Sequence, residues 1–352
     1  MSKRILLIYS NYSSFVKSDY EILSEKFEVD RYQFKAIKNL FPFLFQFIKQ
    51  FVFLIVKGWR YDAFFIWFAD YHSFLPVLFS RIIKRRSYLV SGGYDATSVP
   101  ELRYGLFYKK NLRSFMGKKS YKYCSMILPV DKSLIENTNT YCSKDLFQAG
   151  VTSFCKVPKS KFRTIATGYD PGKWKEIPDV TRKNSIVSVG SISDLTRWRL
   201  KGGDLLVMVA ALLPKHDFYF YGIHDHFKVY LEQNGIPQNF HIRGFVDHET
   251  LPEIYSAHHV YAQFSMTEGL PNTLCEAMLC GCIPVGSNVN GIPQAIGDAE
   301  FILKKQDSIE AAKLIVKALS CNDHIAPRER IVNLFDINRR RTKIWELVES
   351  FK

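Results

Sequence analysis

The sequence contains no CxxC pair. Its seven cysteines are an odd set without the spacing of a disulfide framework, and Cys275, Cys280 and Cys282 crowd one segment with no second ligand pair. That argues against a zinc site and a disulfide-stapled fold, and in favour of reduced thiols in a cytosolic protein. The first ten residues are not expected to be a secretory leader. The apolar run in MSKRILLIYS is short and leads into polar residues with no small-residue cleavage site, so it is expected to be a first buried strand. No internal repeat, low-complexity tract or RNA-type aromatic motif is present. RIIKRR is the densest basic cluster, so nucleic acid is not an expected partner.

Acidic residues are scarce in one half only. Residues 1–170 carry 27 Lys+Arg against 13 Asp+Glu, whereas residues 171–352 carry 21 against 21. The whole net charge of +14 therefore lies in the first half. Such a half should meet something anionic: a membrane surface, a phosphate-bearing acceptor or, by charge alone, nucleic acid. The 352 residues, 47% of them hydrophobic, suffice for two domains that each bury a core.

Short apolar runs alternate with helical patterns along the chain. KRILLIYS, DAFFIWFA and SYLVSG read as strands of the first half, and NSIVSVGS, DFYFYG, HVYAQFS and IPVGS as strands of the second. Helical periodicity covers 17–26, 73–84, 202–213, 249–257, 272–280 and a last segment at 327–350. This alternation predicts α/β domains with parallel sheets, whose ligands sit beyond the carboxyl ends of the strands. GYDPGKWKEIPDVTRKN, with its glycines, prolines and charges, marks a boundary near 168–183.

The run LFPFLFQFIKQFVFLIV, residues 40–56, is very apolar yet carries Gln46, Lys49 and Gln50 in its middle. With Lys35, Lys38, Pro42 and Lys57 these residues form a polar stripe at helical spacing. A spanning helix wants about 20 apolar residues without central charge. Two readings stay open: a helix in the membrane interface, or a core helix covering the sheet.

Residues 268–278, EGLPNTLCEAM, place Glu268 in the loop after a strand and Glu276 about one turn into the next helix. Pro271 suits a first helical turn. The amides of Asn272 to Leu274 would then be free donors for phosphate or sugar oxygens. Gly269 lets the backbone approach a ligand, and either glutamate could accept from sugar hydroxyls. The bare spacing has a plainer explanation, since the helix dipole alone favours an early glutamate.

The surrounding EGLPNTLCEAMLCGCIPVGSNVNGIPQAIGD resembles the donor-binding segment of the retaining GT-B glycosyltransferases of family four. That family's E-x7-E motif is met by Glu268 and Glu276, and Gly281, Pro284, Val285, Gly291 and Pro293 match the family's strand and glycine-rich turn on its carboxyl side. Gln294 stands where a glutamate is usual. Upstream, VGSISDLTRWRLKGGDLLVMVAALLP resembles the family's first strand, loop and helix of the C-terminal domain, with Lys201-Gly202 as its Lys-Gly. Ser191 takes the place where the family often has arginine; of Arg197 and Arg199 nearby, Arg197 is preferred as the diphosphate cation. TGYDPGKW resembles the segment near the family's interdomain linker.

The resemblance implies a GT-B fold, with two Rossmann-like domains facing a central cleft. The expected domains are an acceptor-binding 1–170 and a nucleotide-sugar-binding 171–333, with a C-terminal helix in 334–352 crossing back to the first. It implies sugar transfer from a nucleotide-diphosphate sugar to a hydroxyl acceptor with retention, no cofactor, and fixed cations in place of a metal. Arg197, Lys201 and Glu268 are the expected catalytic set. Ser191, Gly269, Leu270, Pro271, Asn272, Thr273 and Glu276 are the expected donor-binding set. The first half departs from the family, with SNYSSFVKSD in place of a glycine pair. His72, Tyr94 and Asp95 follow strands there and are acceptor-side candidates. Their plainer alternatives are a packed histidine and a glycine turn with an Asx bond. A lipid-linked or surface-polysaccharide acceptor and a cytoplasmic, peripheral place at the inner face of the cell membrane fit the charge and the family. The rival readings are a non-catalytic sugar- or nucleotide-binding protein and a GT-B sugar epimerase.

Overall fold

A computed structural model describes residues 2–35, 37, 39–142 and 147–350. Lys38 of the polar stripe and the last two residues of the expected C-terminal segment lie outside the described residues. The chain forms two compact units: residues 1–137, 148–167 and 338–352, and residues 138–147 and 168–337.

The first unit is built on five parallel strands in the order Glu28–Gln33, Arg4–Tyr9, Ala63–Trp67, Arg86–Ser91, Met126–Pro129. The interior strands are almost wholly buried, as expected of a parallel sheet covered on both faces. Glu28–Gln33 is an edge strand with no buried residue; its polar sequence EVDRYQ contains no apolar run to mark it. The strand order reverses between Arg4–Tyr9 and Ala63–Trp67.

The second unit holds six strands in the order Phe240–Ile242, Phe218–Ile223, Lys183–Ile192, His258–Gln263, Ile283–Ser287, Ile302–Leu303. All of its described pairings are parallel as well. Its order reverses between Lys183–Ile192 and His258–Gln263, which makes the crevice beyond their carboxyl ends the topological switch point.

The last segment is two helices, Ile325–Phe335 and Ile337–Glu349, rather than the single expected one. The break at Asp336 has a cause. Tyr169 N donates to Phe335 O at 2.9 Å and Ile337 N donates to Tyr169 O at 2.9 Å, forming a parallel bridge that a continuous helix would forbid. Beyond it, the final helix belongs to the first unit. Buried Arg340 grips buried Asp19 through Nε and Nη2 at 2.6 and 2.7 Å, and Asp19 also accepts from Trp67 Nε1 at 2.8 Å. Arg340 Nη1 adds bonds to Ile165 O and Ala166 O, while Tyr88 hydroxyl donates to Leu347 O and Trp345 Nε1 to Ile22 O.

The run at 40–56 is not a core helix. It is the helix Leu40–Lys57, and among its described residues only Gln50 and Leu54 are buried.

Two expected outcomes concern stability. Arg340→Ala strands a buried carboxylate and should cost about 3–5 kcal/mol, read as a drop in the melting midpoint; Asp19→Asn combined with Arg340→Met should recover much of it. The second involves His258, whose ring is buried and bonded to Ser185 Oγ at 2.7 Å. Burial, with Lys183 and Arg182 nearby, pushes its pKa down to about 4. Between the ordinary value of about 6.5 and that value, the unfolded chain takes up a proton that the folded unit refuses. Stability should therefore fall as pH drops through this window, by at most about 3 kcal/mol. Urea midpoints at about pH 7 and about pH 5 should differ less in His258→Gln.

Candidate active site

The site candidates of the second unit gather at its switch point. The strand Lys183–Ile192 ends in a loop that leads to the short helix Leu195–Leu200, capped by Asp194 accepting from Arg197 N at 2.9 Å. Lys201 closes that helix, and Gly202 follows with φ +76°. A Cβ on Gly202 would lie 2.3 Å from Phe264 O. The residue must therefore be glycine twice over, for its left-handed backbone and for its contact with the end of the neighbouring strand. Met266 N donates to Leu200 O at 2.8 Å and ties the two loops together.

This contact delivers Lys201 to Glu268. Lys201 Nζ stands 2.6 Å from Glu268 Oε1. The same oxygen accepts from Ser265 Oγ at 2.7 Å and Gln263 Nε2 at 3.1 Å. None of these bonds uses Oε2. The loop is fixed from below: Glu268 N donates to Asn290 Oδ1 at 3.1 Å, Gly291 N donates to Gly269 O at 2.9 Å, and Ser287 Oγ donates to Ser265 O at 2.7 Å. A Cβ on Gly291 would sit 2.6 Å from Gly269 O, so the glycine turn is what lets this loop pack so closely.

Pro271 is the residue before the helix Asn272–Leu279, one position ahead of its expected place, and helical bonding starts with Cys275 N to Pro271 O at 3.3 Å. Gly269, Leu270 and Pro271 are buried. Asn272 accepts from the Tyr169 hydroxyl at 2.9 Å. Thr273 Oγ1 accepts from the Tyr261 hydroxyl at 2.7 Å, which turns it into the unit's interior.

Glu276 is 3% exposed. Its Oε1 lies 3.4 Å from His248 Nε2, and its Oε2 is buried without any hydrogen-bond partner. His248 stands edge-on to Trp174, with ring centroids 5.0 Å apart. Near Glu276, burial raises the Tyr255 hydroxyl well above its ordinary range. Burial also raises the Cys275, Cys280 and Cys282 thiols, Cys282 to about 12. These cysteines are inert packing residues, and no cluster of potential metal ligands occurs among the described residues.

Arg197 and Ser191 are exposed. Arg197 pairs with Asp194 at 3.6 Å, Arg199 with Asp204 at 3.3 Å, and Ser191 Oγ lies 3.3 Å from His224 Nε2. Both arginines flank Lys201 on solvent-facing positions, so the structure does not choose between them. Gln294 is exposed and offers its carbonyl to Arg330 Nη2 at 2.8 Å.

Sequence reasoning passed over several neighbours of the glutamates: Ser265, Gln263, Asn290, His248, Trp174 and Tyr169. Asn290 carried one signal, a residue beside Gly291 in a glycine-rich turn; it adopts φ +46°.

Two acceptor-side candidates in the first unit are buried. His72 is 2% exposed, with Nε2 2.7 Å from Trp67 O, and burial lowers its pKa. Asp95 is fully buried. It accepts from Ala69 N, Gly92 N, Gly93 N, Ser91 Oγ and the Tyr121 hydroxyl, and burial raises its pKa despite those donors. Both side chains bond backbone groups at or just beyond strand ends. Tyr94 remains half-buried, edge-on to Tyr104 and under the Arg113 guanidinium at 5.1 Å.

Residues 174–333 match the family model for glycosyl transferases group 1. Over 196 residues the chain is 27% identical to a phosphatidylinositol N-acetylglucosaminyltransferase subunit of Arabidopsis thaliana, covering 50% of this chain and 43% of that one. Over 76 residues it is 34% identical to O-antigen chain mannosyltransferase B of Escherichia coli, covering 22% and 20%. The aligned stretches thus span less than half of these curated relatives' own lengths. The structure of Anabaena HepE solved with UDP and glucose superposes with a TM-score of 0.72 at 15% identity, over 100% of both chains.

Gly202→Ala tests the close approach that builds the site. Gly235 shares its left-handed backbone (φ +78°) but has open space around it. Gly235→Ala should cost about 1–2 kcal/mol, and Gly202→Ala about 1–3 kcal/mol more, in parallel denaturation experiments.

Residues 174–333 are thus similar to the glycosyl transferases group 1, and the chain has the GT-B fold of two Rossmann-like domains.

Proposed function

We propose that this chain is a retaining glycosyltransferase. It moves a sugar from a nucleotide-diphosphate sugar to a hydroxyl of a lipid-linked or surface-polysaccharide glycan. The observation that carries this reading is Glu276 Oε2, a buried carboxylate oxygen without a partner at the switch point of the sheet. A buried acceptor left unpaired costs about 1–3 kcal/mol or more. A ribose diol would supply the missing donors. Its setting supports the reading, because Lys201 and Glu268 sit beyond the same pair of strands.

In this reading Lys201, with Arg197 or Arg199, neutralises the diphosphate as the glycosidic bond breaks. Positive groups aimed at developing charge are commonly the largest catalytic contribution. Glu268 holds sugar hydroxyls through Oε2 while its Oε1 stays fixed by Ser265 and Gln263. The acceptor hydroxyl attacks from the face the phosphate leaves, and the leaving phosphate takes its proton. No side-chain nucleophile takes part, and the cations do the work a metal would otherwise do. HepE was solved with UDP, which makes uridine diphosphate sugars the first to test. The names of the two curated relatives support a glycolipid or surface-glycan acceptor, which in this reading is met at the cytoplasmic face of the cell membrane.

A thermal-shift screen of nucleotide sugars should find one whose binding, at about 100 times its Kd, adds roughly 2.7 kcal/mol. With that donor, Lys201→Ala should lower kcat by about two to three orders of magnitude. Glu276→Ala should act mainly on donor KM, because the ribose contact is alike in ground and transition states. Changes confined to KM in both variants would contradict this division of roles.

A further inference from the structure

Among the described residues, Leu40–Arg60 is the one stretch long and apolar enough to cross a membrane. It leaves most of its large apolar side chains exposed. Two of the three central polar residues face the protein: Gln50 is buried and donates to His72 O at 3.0 Å, and Gln46 exchanges bonds with the backbone of Lys35 at 3.0 Å. The apolar positions Phe41, Phe45, Ile48, Val52, Val56 and Trp59 recur at three- and four-residue spacing on the opposite side and are exposed, Phe41 to 84%. A contiguous apolar face of this kind marks an interaction surface.

From this we infer that the outer face of Leu40–Lys57 lies in the interface of an anionic bilayer and holds the first unit on the membrane. The inference deepens the proposed transfer to a glycolipid, and rests on that reading for the place of the enzyme. The choice of a lipid surface rests on charge. No acidic residue occurs in Leu40–Lys57, and exposed Lys35, Lys49 and Lys57 border the face. The helix Leu112–Tyr123 adds to the surface. It is joined to Leu40–Lys57 through Tyr71, which packs on Phe43 at 4.7 Å and lies beneath the Arg113 guanidinium at 5.9 Å. At its start, Leu112 and Phe115 are exposed beside exposed Lys109, Lys110 and Lys118. A second copy docked on this face would bring the same lysines together, and that repulsion disfavours it. An anionic surface accepts both the apolar face and its basic border.

The helix lies along the membrane rather than through it. It is pinned to its own unit along its length, by Phe43 on Tyr71, by Gln50 on His72, and by Phe53 on Tyr32 with ring centroids 4.8 Å apart. Crossing the bilayer would break all three.

The test is flotation of the full chain with vesicles of phosphatidylcholine alone and with about 30% phosphatidylglycerol, at low and high salt. The chain should float with the anionic vesicles at least about tenfold more than with the neutral ones, and less at high salt. Phe45→Ser combined with Ile48→Ser should lower flotation at least about tenfold. Ile309→Ser, at an exposed apolar position of the second unit, should leave it unchanged. A folded chain that stays unbound at low salt would overturn the inference, as would equal flotation of the Phe45/Ile48 variant. A concentration-dependent dimer abolished by that variant would show a second copy as the occupant, and resistance to alkaline carbonate would show a spanning helix. Nucleotide-induced thermal shift, measured on the same samples, separates the two proposals. Flotation without a shift would leave the membrane face standing and remove the transferase reading; a shift without flotation would do the reverse.

Discussion

The site depends on one close approach, that of Gly202 to the carbonyl of Phe264. A side chain at 202 has no room there, and the left-handed backbone turns the chain back toward the sheet. The consequence is positional. Lys201 comes from the loop after Lys183–Ile192 and Glu268 from the loop after His258–Gln263, yet they meet at 2.6 Å. Neither loop alone would hold a cation and a carboxylate in that relation. The glycines further along serve the same end, since Gly291 against Gly269 fixes the second loop from beneath.

Two features are costly in the chain by itself. Glu276 Oε2 is buried without a donor, and the outer side of Leu40–Lys57 shows water a row of large apolar side chains. Both become favourable when a ligand supplies what is missing, a hydroxyl pair in one case and a bilayer in the other. Asp19, by contrast, is fully satisfied by Arg340 and Trp67. It serves the fold alone, by fastening the final helix to the first unit.

The interior strands were legible because both of their faces are buried, which leaves unbroken apolar runs such as ILLI and AFFIW. Glu28–Gln33 was not, because this edge strand buries no residue and carries no apolar run. The helix Leu40–Lys57 was legible as amphipathic, but periodicity does not say which side packs inward; here Gln50 and Leu54 do, while most of its large apolar side chains face out. The break at Asp336 depends on Tyr169, far away in sequence, as does the support of Asn272. The positions of Glu268, Glu276 and Lys201 followed from a motif and its resemblance. The partners of those residues, His248 and Ser265 among them, carry no local signature. His72 and Asp95 follow strand ends, and periodicity did not show that both are buried.

The central claim is that a nucleotide's second phosphate reaches Lys201 while its ribose fills the gap at Glu276. Calorimetric titration of the wild-type chain with UMP, UDP, GMP and GDP tests it most directly. For one base, the diphosphate should bind at least about tenfold tighter than the monophosphate, a difference of about 1.4 kcal/mol. Equal affinities for mono- and diphosphate of every base would contradict the account.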